Sequence, residues 1–183
     1  MYLHRAIETT ILKAEHQTKA ILITGARQVG KSTTIRKLYP GYTYITLDDE
    51  NYAALARNDS TLFFRDIKYP VIIDEAQYAP ELFRAIKRIA DADNAKGKFF
   101  LTGSQSYELM SSASESLAGR ISIIEMGGLS LRELFNVDFN RPFISDDSYI
   151  RKRSECIVPY SDIWSVIHRG SMPELLDPAR DWE

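Results

Sequence analysis

Residues 20–39 read AILITGARQVGKSTTIRKLY. An apolar run ends on Gly25, Gly30 and Lys31 stand side by side five residues on, and hydroxyls follow at Ser32, Thr33 and Thr34. The run predicts a short buried strand, and STTIRKLY a helix that turns Ile35 and Leu38 toward a sheet and is closed by Gly41. Between them Gly25, Ala26, Arg27, Gln28, Val29, Gly30, Lys31 and Ser32 meet the pattern G-x-x-x-x-G-K-S/T in full. A loop of this kind points consecutive backbone N–H groups at a phosphate, and the helix start adds a field that favours anions. The glycines leave room where a Cβ would crowd backbone or ligand. Lys31 would reach the β- and γ-phosphates as a point charge, Ser32 would give an oxygen to Mg²⁺, and the phosphates would lie along Gly30 to Thr33. The competing reading is a glycine-rich turn that caps a helix with Lys31 on the surface.

YPVIIDEAQ, residues 69–77, decides between the two. Val71, Ile72 and Ile73 predict a third strand that ends on Asp74 and Glu75. In a parallel sheet that end is where ligands bind, so Asp74 is a candidate for the Mg²⁺ shell and Glu75 for orienting or deprotonating an attacking water. The pattern is weak alone; paired with the upstream loop it is specific.

The remaining texture is strand, helix, strand, helix. Ile7, Ile11 and Ala14 mark a helix within 5–16, YTYITLDDE (42–50) a second strand, and residues 51–67 a helix broken near 58–60. APELFRAIKRIADADN (79–94) forms one apolar stripe, with Pro80 suited to its first turn. GKFFLTGSQS and GRISIIEMGG supply the fourth and fifth strands, around a serine-rich stretch over 106–118. Almost wholly apolar strands separated by helices predict a parallel sheet with helices on both faces.

Bulk composition narrows the class. With 183 residues, 44% hydrophobic and 26% charged, the chain can fold as one full domain with a small appendage. A formal charge of -2 gives no general attraction to polyanions, so nucleic acid is left open but unsupported by charge. The single cysteine, Cys156, excludes an internal disulfide and reads as a packed structural residue. The start lacks an unbroken apolar leader and no segment has the length of a membrane span, which points to the cytoplasm.

Several further residues are candidates. Thr102, Ser104 and Gln105 arrive at the end of the fourth strand; Ser104, after the Gly103 turn, is the choice to meet the γ-phosphate, against a capping role. Arg120 opens the fifth strand and is open between a phosphate contact in cis, one offered to a neighbouring subunit, and a surface ion pair. Arg27 faces nucleotide, partner or solvent. Asp48 and Asp49 read as structural or solvated rather than metal-bound. His4, His16 and His168 have no ligand spacing, RKR at 151–153 reads as a solvated face, and the aromatics read as core or interface.

In YLHR (2–5), ITGARQVGKST (23–33), IIDEAQ (72–77), LTGSQS (101–106), ESLAGRI (115–121), LSLRELF (129–135) and GSMPELL (170–176), the chain resembles prokaryotic AAA-like ATPases whose nucleotide-binding domain precedes a C-terminal region of unassigned function. The resemblance implies a three-layer α/β P-loop NTPase fold with the parallel sheet in the order 5-1-4-3-2. It implies that Ser104 acts as a γ-phosphate sensor between the loop and Glu75, and that Arg120 is a recurring arginine. The chain departs from the pattern at MGGLS (126–130), where relatives carry a bulky residue and proline, and at Ser171, where a second glycine is usual.

The organisation expected is an ATPase core over 1–128 and a mostly helical extension over 129–183 leading into a further C-terminal domain. Mg²⁺-dependent hydrolysis of ATP, coupled to movement of that domain, a second copy or a protein client, is the function expected. The alternatives are a nucleotide-gated regulatory module with little turnover and, less well supported, a phosphotransferase. Absence of an N-K-x-D box leans toward adenine over guanine.

Overall fold

The computed structural model describes residues 2–104, 106–139, 141–156 and 163–176. They form two compact units: Ile7–Gly127, and Met1–Ala6 together with Gly128–Glu183. The first residues therefore belong with the C-terminal part, whereas the sequence alone placed them in the core.

In the larger unit five strands, β1 (Ala20–Gly25), β2 (Thr43–Thr46), β3 (Val71–Asp74), β4 (Phe99–Ser104) and β5 (Ile121–Glu125), form one sheet in the order β2-β3-β4-β1-β5. All pairings are parallel. This is the order that the family resemblance implied, counted from the other edge. Parallel neighbours need long crossovers, which are supplied by α2 (Lys31–Leu38), α3 (Glu50–Asn58), α4 (Ser60–Arg65), α5 (Leu82–Ala92) and α6 (Tyr107–Ser116), while α1 (Glu8–Glu15) precedes β1.

Burial follows position in the sheet. β1 is buried throughout and β3 likewise, whereas the edge strand β2 is half-buried along its length. Phe99 sits at the centre with no exposed surface, edge-on to Phe64 and Tyr69 at ring-centroid distances of 5.9 and 5.3 Å. The stripe of α5 turns Leu82, Phe83, Ala85, Ile86 and Ala90 inward. Pro80 lies in the turn before this helix, not in its first turn. The break between α3 and α4 is a cap: the Asp59 carboxylate accepts from the N–H groups of Thr61 (3.1 Å) and Leu62 (2.9 Å).

Strand register aligns the C-terminal ends. Gly25 pairs with Ser104 and Thr46 with Asp74, while the opposite ends bring Ala20 beside both Phe99 and Ile121. The loop after β1 and the residues after β3 and β4 thus leave the sheet at one edge.

The smaller unit holds α7 (Leu131–Leu134), α8 (Asp147–Glu155) and α9 (Ile163–Arg169). Its main polar feature is Glu133. One carboxylate oxygen accepts from the Ala6 N–H (2.7 Å) and Arg5 Nε (3.1 Å), and the other from the N–H (2.7 Å) and hydroxyl (2.9 Å) of Ser130 in a capping box. Arg5 also donates to the Gly128 carbonyl at 3.0 Å. The two departures noted in the sequence meet here: a Cβ on Gly128 would run into Ser171, whose carbonyl accepts from the Leu129 N–H at 2.6 Å. Cys156, read as packed, is partly exposed at the end of α8.

Two outcomes follow from this packing. Phe99→Ala removes a fully buried ring from the sheet centre and is expected to cost about 3–5 kcal/mol, measured by denaturant unfolding. Burial pushes the Glu133 carboxyl up, but the Ser130 and Ala6 N–H groups, the Ser130 hydroxyl and Arg5 outweigh it and hold the group below its ordinary 4.5. Its folded value lies under the unfolded one, so the stabilisation is complete above about pH 4.5 and is lost as pH falls through the lower, folded value. In unfolding curves taken at pH 7 and pH 3, the advantage of wild type over Glu133→Gln is expected to be largest at pH 7 and to shrink at pH 3.

Candidate functional site

The loop after β1 is shaped by two glycines for different reasons. Gly25 has φ +149°, and a Cβ there would collide with the carbonyl of Met126, which follows β5. Its role is close backbone crossing, a constraint separate from room for a ligand. Gly30, at φ 97°, takes the left-handed conformation that starts α2. Gln28 is also left-handed, at φ 64°. Val29 anchors the loop in the core, while Ala26, Arg27 and Gln28 are exposed.

In α2 the first backbone bond runs from the Thr34 N–H to the Gly30 carbonyl at 2.9 Å, so the N–H groups of Lys31, Ser32 and Thr33 precede the helical ladder. The Lys31 side chain folds back, its Nζ donating to the carbonyls of Gly25 (3.1 Å) and Ala26 (2.8 Å), and the residue is 4% exposed. Burial lowers the lysine's pKa, the charges of Glu75 and Asp74 raise it in part, and Arg27 lowers it further. The buried ammonium thus has two carbonyl acceptors and, beyond them, the carboxylates of Glu75 and Asp74, without a direct ion pair among the described residues.

Asp74 is the hub of the site. It is 4% exposed, and its Oδ1 accepts from the Ser32 hydroxyl at 2.7 Å and from the Thr102 hydroxyl, while Oδ2 accepts from the Tyr44 hydroxyl at 2.6 Å. Three hydroxyls from α2, β4 and β2 thus converge on one carboxylate at the end of β3. Burial and the adjacent carboxylate push the Tyr44 hydroxyl well above its ordinary pKa, so it remains a donor. The Arg36 guanidinium lies 4.6 Å from the centroid of the Tyr44 ring.

Glu75 follows in a left-handed conformation, φ 58° and ψ 45°, at a cost of about 1–3 kcal/mol for a residue with a side chain. Its N–H donates to Thr102 Oγ1 at 3.3 Å, and its carboxylate accepts from the Gln77 side-chain amide. The Gln77 carbonyl oxygen accepts in turn from the Ser104 N–H at 3.1 Å. Ser104 Oγ is buried and meets no hydrogen-bond partner among the described residues.

The candidates of the loop, Asp74, Glu75 and Ser104 are therefore gathered at one edge. Arg120 is not among them. It precedes β5 at the opposite edge, where its carbonyl accepts from the N–H groups of Lys19 and Ala20, both at 3.0 Å, and its Nη2 is 3.1 Å from Asp91 Oδ2. A six-residue strand separates it from the loop, about 20 Å at the usual rise per residue, so a phosphate contact in cis is corrected to an ion pair within the chain. Asp48 and Asp49 are exposed, and Asp49 caps α3 through the Asn51 N–H at 2.9 Å. Gln105 lies outside the described residues.

Sequence reasoning missed Tyr44 and the bridging role of Gln77. Nothing in local spacing marks Tyr44; only the β2–β3 pairing brings it to Asp74. Gln77 stood out as part of IIDEAQ, with no partner attached.

A sequence-family model described as an AAA domain matches residues 17–135, which include every residue of this cluster. The chain belongs to the AAA domain family. Uncharacterized proteins of Mycobacterium bovis and Mycobacterium tuberculosis are each 36% identical over 123 residues, 67% of this chain. The match spans only 28% of the length of either relative. Among solved structures, the chain is similar to a T158V variant of Thermotoga maritima RuvB, with a TM-score of 0.47 and 17% identity over 73% of this chain and 49% of that one. It is also similar to a FIGL-1 AAA domain in complex with ADP, with a TM-score of 0.44 and 14% identity over 81% and 61%. Among the described residues of this AAA domain protein, no helix is long and apolar enough to cross a membrane.

The crossing at Gly25 can be tested by substitution. Gly25→Ala is expected to lose more than about 1 kcal/mol of stability, because the backbone conformation and the Met126 carbonyl both oppose a Cβ. Gly41→Ala, where a Cβ meets nothing within 4 Å, is the control expected to stay near wild type in the same denaturant melts.

Proposed function

We propose that this AAA domain hydrolyses ATP in the presence of Mg²⁺ and passes the resulting change to an attached region, a second copy or a protein client. The observation that carries the reading is the Ser32 Oγ to Asp74 Oδ1 contact of 2.7 Å, which joins the start of the phosphate-loop helix to the end of β3. A hydroxyl and a buried carboxylate form a hard oxygen donor pair of the kind that suits Mg²⁺, directly or through water. Bound there with nucleotide, Mg²⁺ would offset charge on the β- and γ-phosphate oxygens.

The chain's own groups divide the work. Backbone N–H groups from Gly25 to Thr33 cradle the phosphates, with Ala26, Arg27, Gln28 and Val29 forming the turn between the glycines. Lys31 leaves the Gly25 and Ala26 carbonyls for the β- and γ-phosphates. Glu75 orients a water and takes its proton as the oxygen bonds to the γ-phosphorus. The bond from that phosphorus to the bridging oxygen breaks, giving ADP and inorganic phosphate. Ser104 Oγ, buried and without a partner among the described residues, is available to the γ-phosphate.

A second reading, a nucleotide-gated module that turns over slowly by itself, draws on Arg120. Bound to Asp91 at the far edge of the sheet, this arginine could meet a phosphate only in another copy. Tight ATP binding with negligible phosphate release, unchanged by protein concentration, would favour this reading, whereas rescue of Arg120→Ala by mixing with Glu75→Gln would place Arg120 in a neighbouring copy's site.

The central expectation is a turnover assay. Glu75→Gln is expected to lower phosphate release by about 10²-fold or more while retaining nucleotide, and Lys31→Ala to lose binding of a fluorescent ATP analogue. Phosphate release equal in wild type and Glu75→Gln would remove the hydrolase assignment.

A further inference from the structure

We propose that Gln77 is a positioning residue that couples Ser104 to Glu75, so that occupation of the γ-phosphate position aligns the general base. The inference rests on the ATPase reading above. Gln77 is the only described side chain that joins the two: its amide nitrogen donates to the Glu75 carboxylate and its amide oxygen accepts from the Ser104 N–H at 3.1 Å. A primary amide can do this because it carries a donor and an acceptor on one rigid plane. Turning the plane to improve one hydrogen bond alters the other.

Three independent features surround this bridge. Glu75 has left-handed backbone geometry at φ 58°, which sends its side chain back toward the 3₁₀ turn Ala76–Tyr78 that contains Gln77. Ser104, at the other end, has a buried hydroxyl with no hydrogen-bond partner among the described residues, to which a phosphate oxygen could come. Gly103 lies beneath the amide: a Cβ there would stand 2.8 Å from Gln77 Oε1 and 2.6 Å from Leu109 Cδ2. Gly103 has an ordinary backbone conformation, so a side chain is excluded by the amide and Leu109 rather than by φ. The glycine of LTGS and the glutamine of DEAQ therefore serve one contact.

The coupling runs in a stated direction. A γ-phosphate oxygen drawn to Ser104 Oγ shifts the end of β4, the Ser104 N–H moves against Gln77 Oε1, and the opposite end of the amide reorients the Glu75 carboxylate. ADP, which lacks the γ-phosphate, leaves the bridge as it stands. Gln77 acts through its two neighbours.

The test uses the intact protein with Gln77→Met, which keeps the length and removes both hydrogen bonds, alongside Gly103→Ala, Ser104→Ala, Glu75→Gln and the double variant Gln77→Met/Ser104→Ala. Thermal melts first establish that each variant folds. Gln77→Met is expected to lower kcat on the order of 10²-fold through misplacement of the base, with KM for ATP and affinity for ADP within about threefold of wild type. Gly103→Ala, where it folds, is expected to do the same. The double variant is expected to be no slower than the worse single variant, because both cut one line of contact. With labelled glutamine, the Gln77 side-chain amide resonance is expected to shift on adding Mg²⁺ with a non-hydrolysable ATP analogue, and not with ADP.

Wild-type kcat in Gln77→Met, multiplicative loss in the double variant, or an amide resonance that answers ADP and the ATP analogue alike would each overturn the coupling. A parallel fall in ADP affinity would assign Gln77 a merely structural role and overturn it too. If Glu75→Gln matches wild type, the ATPase reading fails instead; the resonance measurement then still decides whether Gln77 senses the γ-phosphate.

Discussion

The hydrogen bond from Ser32 to Asp74 joins two parts of the chain that no backbone pairing connects. β1 and β3 are separated in the sheet by β4, so the helix that starts after β1 reaches the end of β3 only by passing over the end of β4. Thr102 of β4 fills that gap and donates to the same carboxylate, and Tyr44 closes it from β2. A parallel sheet makes this convergence inevitable in one sense: every strand delivers its C-terminal residues to the same edge, where no further ladder partner exists to occupy them. Burying Asp74 is tolerable because each of its oxygens has donors, and removal of any one strand's contribution would leave a buried charge short of partners.

The polar groups of the larger unit are accordingly divided between two edges with different tasks. At one edge are the phosphate loop, a buried lysine, a carboxylate with three hydroxyl donors and a strained glutamate tied through an amide to the next strand. At the other, Arg120 pairs with Asp91 and its backbone carbonyl closes the start of β1. The first arrangement gathers buried polar and charged groups with no direct ion pair among the described residues, which is costly for folding. The second is a surface ion pair of ordinary kind, worth little to stability in water.

The smaller unit obeys the same logic with a different outcome. Arg5 and Glu133 are separated by most of the chain, yet both side chains are almost wholly buried, at 5% and 9% exposure, and each has further hydrogen bonds. A buried pair that is fully satisfied specifies a single arrangement, while either partner alone would be an uncompensated charge. YLHR at the start and LSLRELF beyond the core thus meet in one contact within one compact unit.

Local signals in the sequence determined much of this protein. Apolar runs ending on Gly25 and Asp74 marked β1 and β3, the amphipathic stripe marked α5, and the glycine, lysine and serine spacing marked the phosphate loop, because each depends on neighbours a few residues away. The parallel arrangement also followed, since strands buried on both faces and spaced by helices allow little else; the strand order came only with the family resemblance. Tertiary structure alone decided which side chains meet. Tyr44 joins Asp74, Gln77 joins Ser104, and Arg120 joins Asp91 through strand register and helix placement, properties of pairs far apart in the chain that no local periodicity encodes. The glycines illustrate the division: their positions were legible at once, but that Gly25 yields to the Met126 carbonyl and Gly103 to the Gln77 amide required the backbone of other strands and turns to be in place.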